Sequence, residues 1–165
     1  MKKILIIILT FLFSFNYAYS LITVDITRGN LDPLPIAVSP LHVDPKSENV
    51  DDLKVKELGD LVSRIIEKNF KSTGLFNPLN KDAFVQKPDI AHLKPRFEDW
   101  ALIKSQALIT GKVTFVEDKL RVEFRLWHVL AGKEMMALAF TTVPTNWRRV
   151  GHIISDKVFD RLTGE

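Results

Sequence analysis

The sequence predicts an α+β fold: a two-layer sandwich with a mixed sheet and two long helices packed on one face. Three observations carry this. Residues 50–70 and 144–163 each repeat apolar side chains at helical spacing along one stripe. Between them, residues 106–140 alternate apolar and polar positions in three runs joined by short turns, the pattern of an antiparallel meander. Helices and a sheet that are each apolar on one side hide those sides against one another.

The first element is not part of the fold. Lys2 and Lys3 precede an apolar run over residues 4–15 that only Thr10 and Ser14 interrupt. Ala18 and Ser20 then place small residues at the −3 and −1 positions of a cut after Ser20. That order predicts a cleaved signal peptide over residues 1–20 and export from the cytoplasm. A spanning helix needs about 20 apolar residues, more than this run holds.

Residues 21–27 alternate, with Ile22, Val24 and Ile26 on one side and Thr23, Asp25 and Thr27 on the other. This is a strand pattern at a free terminus, followed by a turn at Gly29 and Asn30. Ile36, Ala37 and Val38 form a second short strand between Pro35 and Pro40, since proline is tolerated at strand ends. Residues 44–49 read as a polar connector.

In the first long helix Leu58, Leu61, Val62, Ile65, Ile66 and Phe70 make the stripe. Asp51 and Asp52 suit its positive end, and Gly74 suits a left-handed exit. Residues 75–79 are a short apolar segment that Asn77 and Pro78 should stop. Residues 81–96, with Pro88 and Pro95, read as loop with one helical turn near residues 82–85. Residues 97–104 suit a short helix carrying Trp100, Ala101 and Ile103.

In the meander, Ile109, Gly111, Val113 and Phe115 share a side. Leu120, Val122, Phe124 and Leu126 alternate with Arg121, Glu123, Arg125 and Trp127. Met136, Leu138 and Phe140 are expected to face inward. Residues 117–118 and 131–133 form the turns. In the last helix Trp147, Val150, Ile154, Val158 and Leu162 make a strict stripe, with Thr145 or Asn146 as the start cap and Gly164 as the end cap.

Composition and motifs exclude more chemistry than they suggest. The 23 Lys and Arg exceed the 20 Asp and Glu by three, and the leader removes two lysines and no acid, leaving about +1. No nucleic-acid footprint is expected from so balanced a chain. With no cysteine there is neither a disulfide framework nor thiolate chemistry. His42, His92, His128 and His152 lack zinc-ligand spacing, so no metal and no cofactor are expected. No G-x-S-x-G elbow, G-x-G-x-x-G or Walker A pattern occurs. The acid pairs Asp51–Asp52, Glu98–Asp99 and Glu117–Asp118 read as solvated helix starts or turns. Trp147, Arg148 and Arg149 could meet a phosphate or lipid headgroup, but a packed Trp147 with two snorkelling arginines is the simpler reading. The residues thus show no catalytic constellation, and no small-molecule substrate is expected; a hydrolase or ligand-binding domain is the weaker alternative. What stays unexplained is the terminal strand, which can pair with a sheet edge of its own domain or of another protein.

Several motifs resemble the TolB N-terminal domain family of the Gram-negative Tol-Pal system. Pro35-Ile36-Ala37-Val38 is similar to its first strand. Gly74-Leu75-Phe76-Asn77-Pro78-Leu79 is similar to the stretch after its first helix. Gly151-His152, followed by Ser155-Asp156-Lys157-Val158-Phe159-Asp160-Arg161-Leu162-Thr163-Gly164, is similar to its last-helix signature.

The resemblance implies a periplasmic adaptor, without enzymatic activity, that supports outer-membrane integrity and constriction at cell division. It implies a domain at residues 35–165 and a partner-binding strand, the TolB box, at residues 21–34. In the family this box either docks on its own protein or is released to the C-terminal domain of TolA. The candidate partner-binding residues are Leu21, Ile22, Thr23, Val24, Asp25, Ile26, Thr27 and Gly29. In the family a six-bladed propeller that binds Pal follows the domain. No blade-length repeat occurs here, so Pal binding is not carried over unless that propeller is supplied. The alternative expectation is a truncated remnant that folds but has no working partner.

Overall fold

The computed structural model describes residues 32–44, 53–116 and 118–164, with residues 53–56 as backbone only. The leader, the strand over residues 21–27, the connector after Asp44, the acids Asp51 and Asp52, and Glu117 lie outside the described residues.

The fold is the expected α+β sandwich. Strand β1 (Leu34–Val38) and the short β2 (His42–Val43) run in sequence along the same neighbour, β4 (Ala107–Val116), both parallel to it. The kink between them is made by Ser39, Pro40 and Leu41. Helix α1 (Leu53–Thr73) follows, then β3 (Phe76–Pro78), parallel to β1. A 3-10 turn (Lys81–Ala83), α2 (Pro88–Ala91) and α3 (Phe97–Leu102) lead into β4. Strands β5 (Lys119–His128) and β6 (Lys133–Thr142) complete an antiparallel meander with it. A second 3-10 turn (Pro144–Asn146) starts α4 (Trp147–Thr163). The sheet order is β3-β1-β4-β5-β6.

Asn77 and Pro78 do not stop the segment after α1: they lie in β3. Leu34 N–H donates to Leu75 O, and Leu79 N–H to Ile36 O, both at 2.9 Å. Odd-numbered backbone groups of β3 thus face β1, and Phe76 and Pro78 turn theirs outward. The ring of Pro78 removes a donor on the free side, where nothing needs it. Pro35 sits in an interior strand because pairing of β1 with β4 begins only at Ile36, while Pro35 O still accepts from Gln106 N–H at 3.0 Å.

The main core lies between the sheet and the helix pair α1–α4. Leu58, Val62, Ile66 and Phe70 from α1 meet Val150, Ile154, Val158 and Leu162 from α4, over Ile36, Ile109, Val122, Phe124 and Leu126. Each fully buried side chain of this size contributes about 1.5–3 kcal/mol. Phe76 joins the layers, with ring centroids 4.9 Å from Phe70 and 6.1 Å from Phe159. Gly74 at φ 70° and Gly164 at φ 81° take the left-handed exits expected of them.

Three local expectations change. Neither Thr145 nor Asn146 caps α4 with its side chain; Asn146 Nδ2 donates to Thr142 Oγ1 at 3.3 Å instead. Leu138 shares the helix-facing side of β6 with Met136 and Phe140 but stays 39% exposed, because β6 is an edge strand that the helices only partly cover. Residues 81–96 are more ordered than a loop, since the opposite face of the sheet carries a second, smaller core. There Ala37, Ala91, Trp100, Leu108 and Val129 are buried together, with Phe84 and Trp127 packed on them.

Candidate functional site

The candidate partner-binding residues, Leu21 to Thr27 and Gly29, lie outside the described residues. The structure does describe where they lead. Asp32 and Pro33 are exposed, and Leu34 enters the sheet at once as a buried residue of an interior strand. The segment is therefore joined to the centre of the sheet.

The two sheet edges differ. The β3 edge is short and blunted by Pro78. The β6 edge is ten residues long, and from Met135 to Thr142 it holds neither charge nor proline. Arg161 Nε, from α4, donates to Met135 O at 3.3 Å near one end of it. Such an edge can in principle accept an extended chain.

On the outer face of β4–β6 lies a groove of about 330 Å³, lined by His92, Leu93, Lys112, Glu123, Arg125 and Ala137 among others. Its charges are matched. Arg121 donates to Glu123 at 2.8 Å, and that hydrogen bond holds the Glu123 carboxyl below its usual range. Arg125 pairs with Glu134 at 3.2 Å and donates to His92 O at 3.3 Å. Paired, half-exposed ions of this kind offer no poised acid or base.

A second charged cluster bridges α1 and the first 3-10 turn. Lys81 Nζ lies 2.8 Å from Asp60 and 3.2 Å from Glu67, and Arg64 also pairs with Asp60. Burial disfavours charge on both carboxyls. At Asp60 the hydrogen bond and charge of Lys81, with Arg64, outweigh it and lower the pKa; at Glu67 burial wins and raises it. Asp60 pairs with both cations, whereas Glu67 pairs with Lys81, feels Arg64 more weakly and is opposed by the charge of Asp60.

The histidines also find partners. His152 Nδ1 is 2.9 Å from Asn69 Nδ2, linking α4 to α1, and His128 Nδ1 accepts from Ala131 N–H at 3.2 Å. His42 and His92 stack face to face, a pairing that no spacing in the sequence announces because it joins residues fifty positions apart. Among the described residues no group of three or more His, Asp or Glu side chains is arranged for a metal. Trp147 packs against the main core with Arg148 over its ring at 4.2 Å, in keeping with the packed reading of that motif. Asp99 pairs with Arg96 at 2.7 Å at the start of α3.

Sequence reasoning missed the clamp at Gln86. Its Oε1 accepts from Trp100 Nε1 at 2.7 Å and from Arg96 N–H at 2.9 Å, fixing the loop over the second core. A lone Gln between two prolines carried no signal of this.

A profile of the TolB amino-terminal domain matches residues 22–135. The Tol-Pal system protein TolB of Pelagibacter ubique (strain HTCC1062) is 71% identical over 150 residues, which cover 90% of this chain and 34% of that protein. The chain thus spans about a third of the length of that relative. The crystal structure of TolB from Acinetobacter baumannii superposes with a TM-score of 0.62 at 18% identity, over 81% of this chain and 29% of that one. The NMR structure of E. coli LpoB gives a TM-score of 0.50 at 8% identity, over 70% and 59%. These two likenesses are of fold. Among the described residues no helix is long and apolar enough to cross a membrane.

Proposed function

The chain belongs to the TolB amino-terminal domain family, and from that premise we propose that it is an adaptor of the Tol-Pal envelope system. It acts in the periplasm after removal of residues 1–20. Its grip on a partner lies in residues 21–29, which the C-terminal domain of TolA takes up by strand addition or a similar mode. Through that contact it supports outer-membrane integrity and constriction at division. Contact with Pal belongs only to a form that carries the propeller.

The observation that carries this reading is that the family match begins at residue 22, so it includes the alternating terminal segment. The geometry is compatible: the segment leads into an interior strand of a packed domain whose described charges are largely paired. Main-chain pairing would supply affinity, and the apolar face of Ile22, Val24 and Ile26 would supply specificity.

The test is calorimetric binding of the cleaved chain to the cognate TolA C-terminal domain, with and without residues 21–32. The intact form should bind and the shortened form should not. Val24→Asp places a charge on the apolar face and should weaken binding by about 2 kcal/mol, roughly thirtyfold. Equal binding by the intact and shortened forms would overturn the reading.

A further inference from the structure

The His42–His92 pair belongs neither to the terminal segment nor to the main core. His42 stands in β2 and His92 directly follows α2, so the stack is a contact between two elements and two parts of the chain. The ring centroids are 4.4 Å apart and the planes differ by 10°. His92 Nδ1 lies 2.9 Å from Pro88 O, so in the neutral ring that nitrogen carries the hydrogen and donates it. This sets the ring plane that His42 meets.

The geometry points to a proton-sensitive latch: the stacked rings of His42 and His92 hold α2 against the sheet near neutral pH, and protonation of His42 releases it in mild acid. Two neutral imidazoles stack through their ring faces, and at that separation His92 disfavours a proton on His42. Among the described residues the charged groups facing His42 are Asp44 at the end of its own strand, Asp89 in α2, His92, and Lys112 in β4. The two carboxylates favour a proton on His42, and His92 and Lys112 oppose it. Burial pushes the His42 pKa below its usual value of 6.5, and His92 adds to that shift.

The sign follows. A histidine whose folded pKa is depressed binds fewer protons in the closed state than in the open one. Closure is therefore fully favoured above about pH 6.5 and weakens as pH falls from there through the lowered value. What opens has consequence. Ala91 of α2 is buried with Trp100, Leu108, Ala37 and Val129, and His92 and Leu93 line the outer groove. Release of α2 uncovers the second core and widens the groove, while the α1–α4 core stays shut.

Amide hydrogen exchange of residues 89–93 in the full chain, corrected for intrinsic rates, reads the latch between about pH 7.5 and about pH 5. Opening should rise by up to about tenfold for each pH unit crossed below 6.5 until the lowered pKa is passed, with β4 and β5 unchanged. His42→Phe keeps a stacked ring and removes the titrating group, so it should flatten the dependence; His92→Phe keeps the ring and removes a neighbour that opposes the proton on His42, so it should reduce the dependence. Unchanged exchange in the parent chain, or the same dependence in both variants, overturns the proposal. Should either variant not fold, imidazole C–H NMR titration of the parent chain decides. A His42 transition below the usual value of 6.5 supports the latch, and one at that value overturns it.

Discussion

Gly59→Ala sets two opposed effects against each other at a buried position. In an open helix the change would stabilise by about 1 kcal/mol through backbone entropy. In α1, however, a Cβ on residue 59 falls 1.8 Å from Leu41 O and 2.8 Å from Leu41 C, where approaches under 3.0 Å are essentially never seen. The helix and the β1–β2 kink must part by about 1.2 Å. Leu41 cannot simply retreat, because its Cδ2 sits 3.0 Å from where a Cβ of Gly111 would be, on β4. Parting also stretches the bond from Leu41 N–H to Gly59 O, now 3.2 Å, inside a site where Leu41 is 3% exposed. Overpacking costs about 1–3 kcal/mol and the lost hydrogen bond about 1 more. Net destabilisation of about 1–3 kcal/mol remains after the helix gain. In urea unfolding followed by tryptophan fluorescence, the midpoint should drop by about 1 M or more at an unchanged slope. Gly74→Ala is the control: it has open space but φ 70°, so only the left-handed cost of about 1–2 kcal/mol applies. A Gly59→Ala chain as stable as its parent would refute the close-approach argument.

Two further outcomes follow from the polar contacts. Gln86→Ala strands the buried indole N–H of Trp100 and the amide of Arg96, and should cost about 2–3 kcal/mol by the same urea assay, with a red-shifted tryptophan emission as the second core loosens. Lys81→Met removes the cation shared by Asp60 and Glu67. The depressed Asp60 carboxyl contributes stability above its unfolded value that is lost as pH falls through the folded one; without Lys81 its pKa should rise toward normal, and that of Glu67, already raised by burial, should rise further. Carboxyl NMR titration reads both shifts.

The sandwich was legible because its main core is built from periodic elements. The stripes through Leu58–Phe70 and Val150–Leu162 each have one direction in which to be buried, and the alternation from Ile109 to Leu126 has one face. The second core was not legible because its members come from short, aperiodic pieces. Ala91 and Trp100 sit in helices of four and six residues and Val129 in a turn, and what assembles them is a glutamine side chain and ring contacts across the sequence. Strand β3 escaped for a related reason: Asn77-Pro78 reads as a stop until the sheet order shows that Pro78 faces outward from an edge. Leu138 was misjudged because alternation tells which face a residue shares and not how far the helices extend over it. The candidate binding segment was visible as a pattern, and its attachment point, Leu34, proved to belong to the sheet.

That attachment bears on how the proposed adaptor would carry load. The chain enters the sheet at Leu34, between β3 and β4, so a pull on the terminal segment acts along a strand held on both sides. Leu34 N–H is bonded to Leu75 O, Pro35 O to Gln106 N–H, Ile36 O to Leu79 N–H and Ser39 N–H to Ile109 O. Drawing β1 out requires shearing both ladders and exposing Ile36 and Val38, which are buried in the main core. An edge strand under the same pull would lose one ladder only and little of the core. A partner that took up residues 21–29 would therefore pull on the domain through a strand paired on both sides. The weaker second core lies on the other face of the sheet, with its turns tied by Gln86 and the histidine stack. On this arrangement the tether and the acid-sensitive surface are separate parts of one sheet, so opening α2 leaves both ladders of β1 in place.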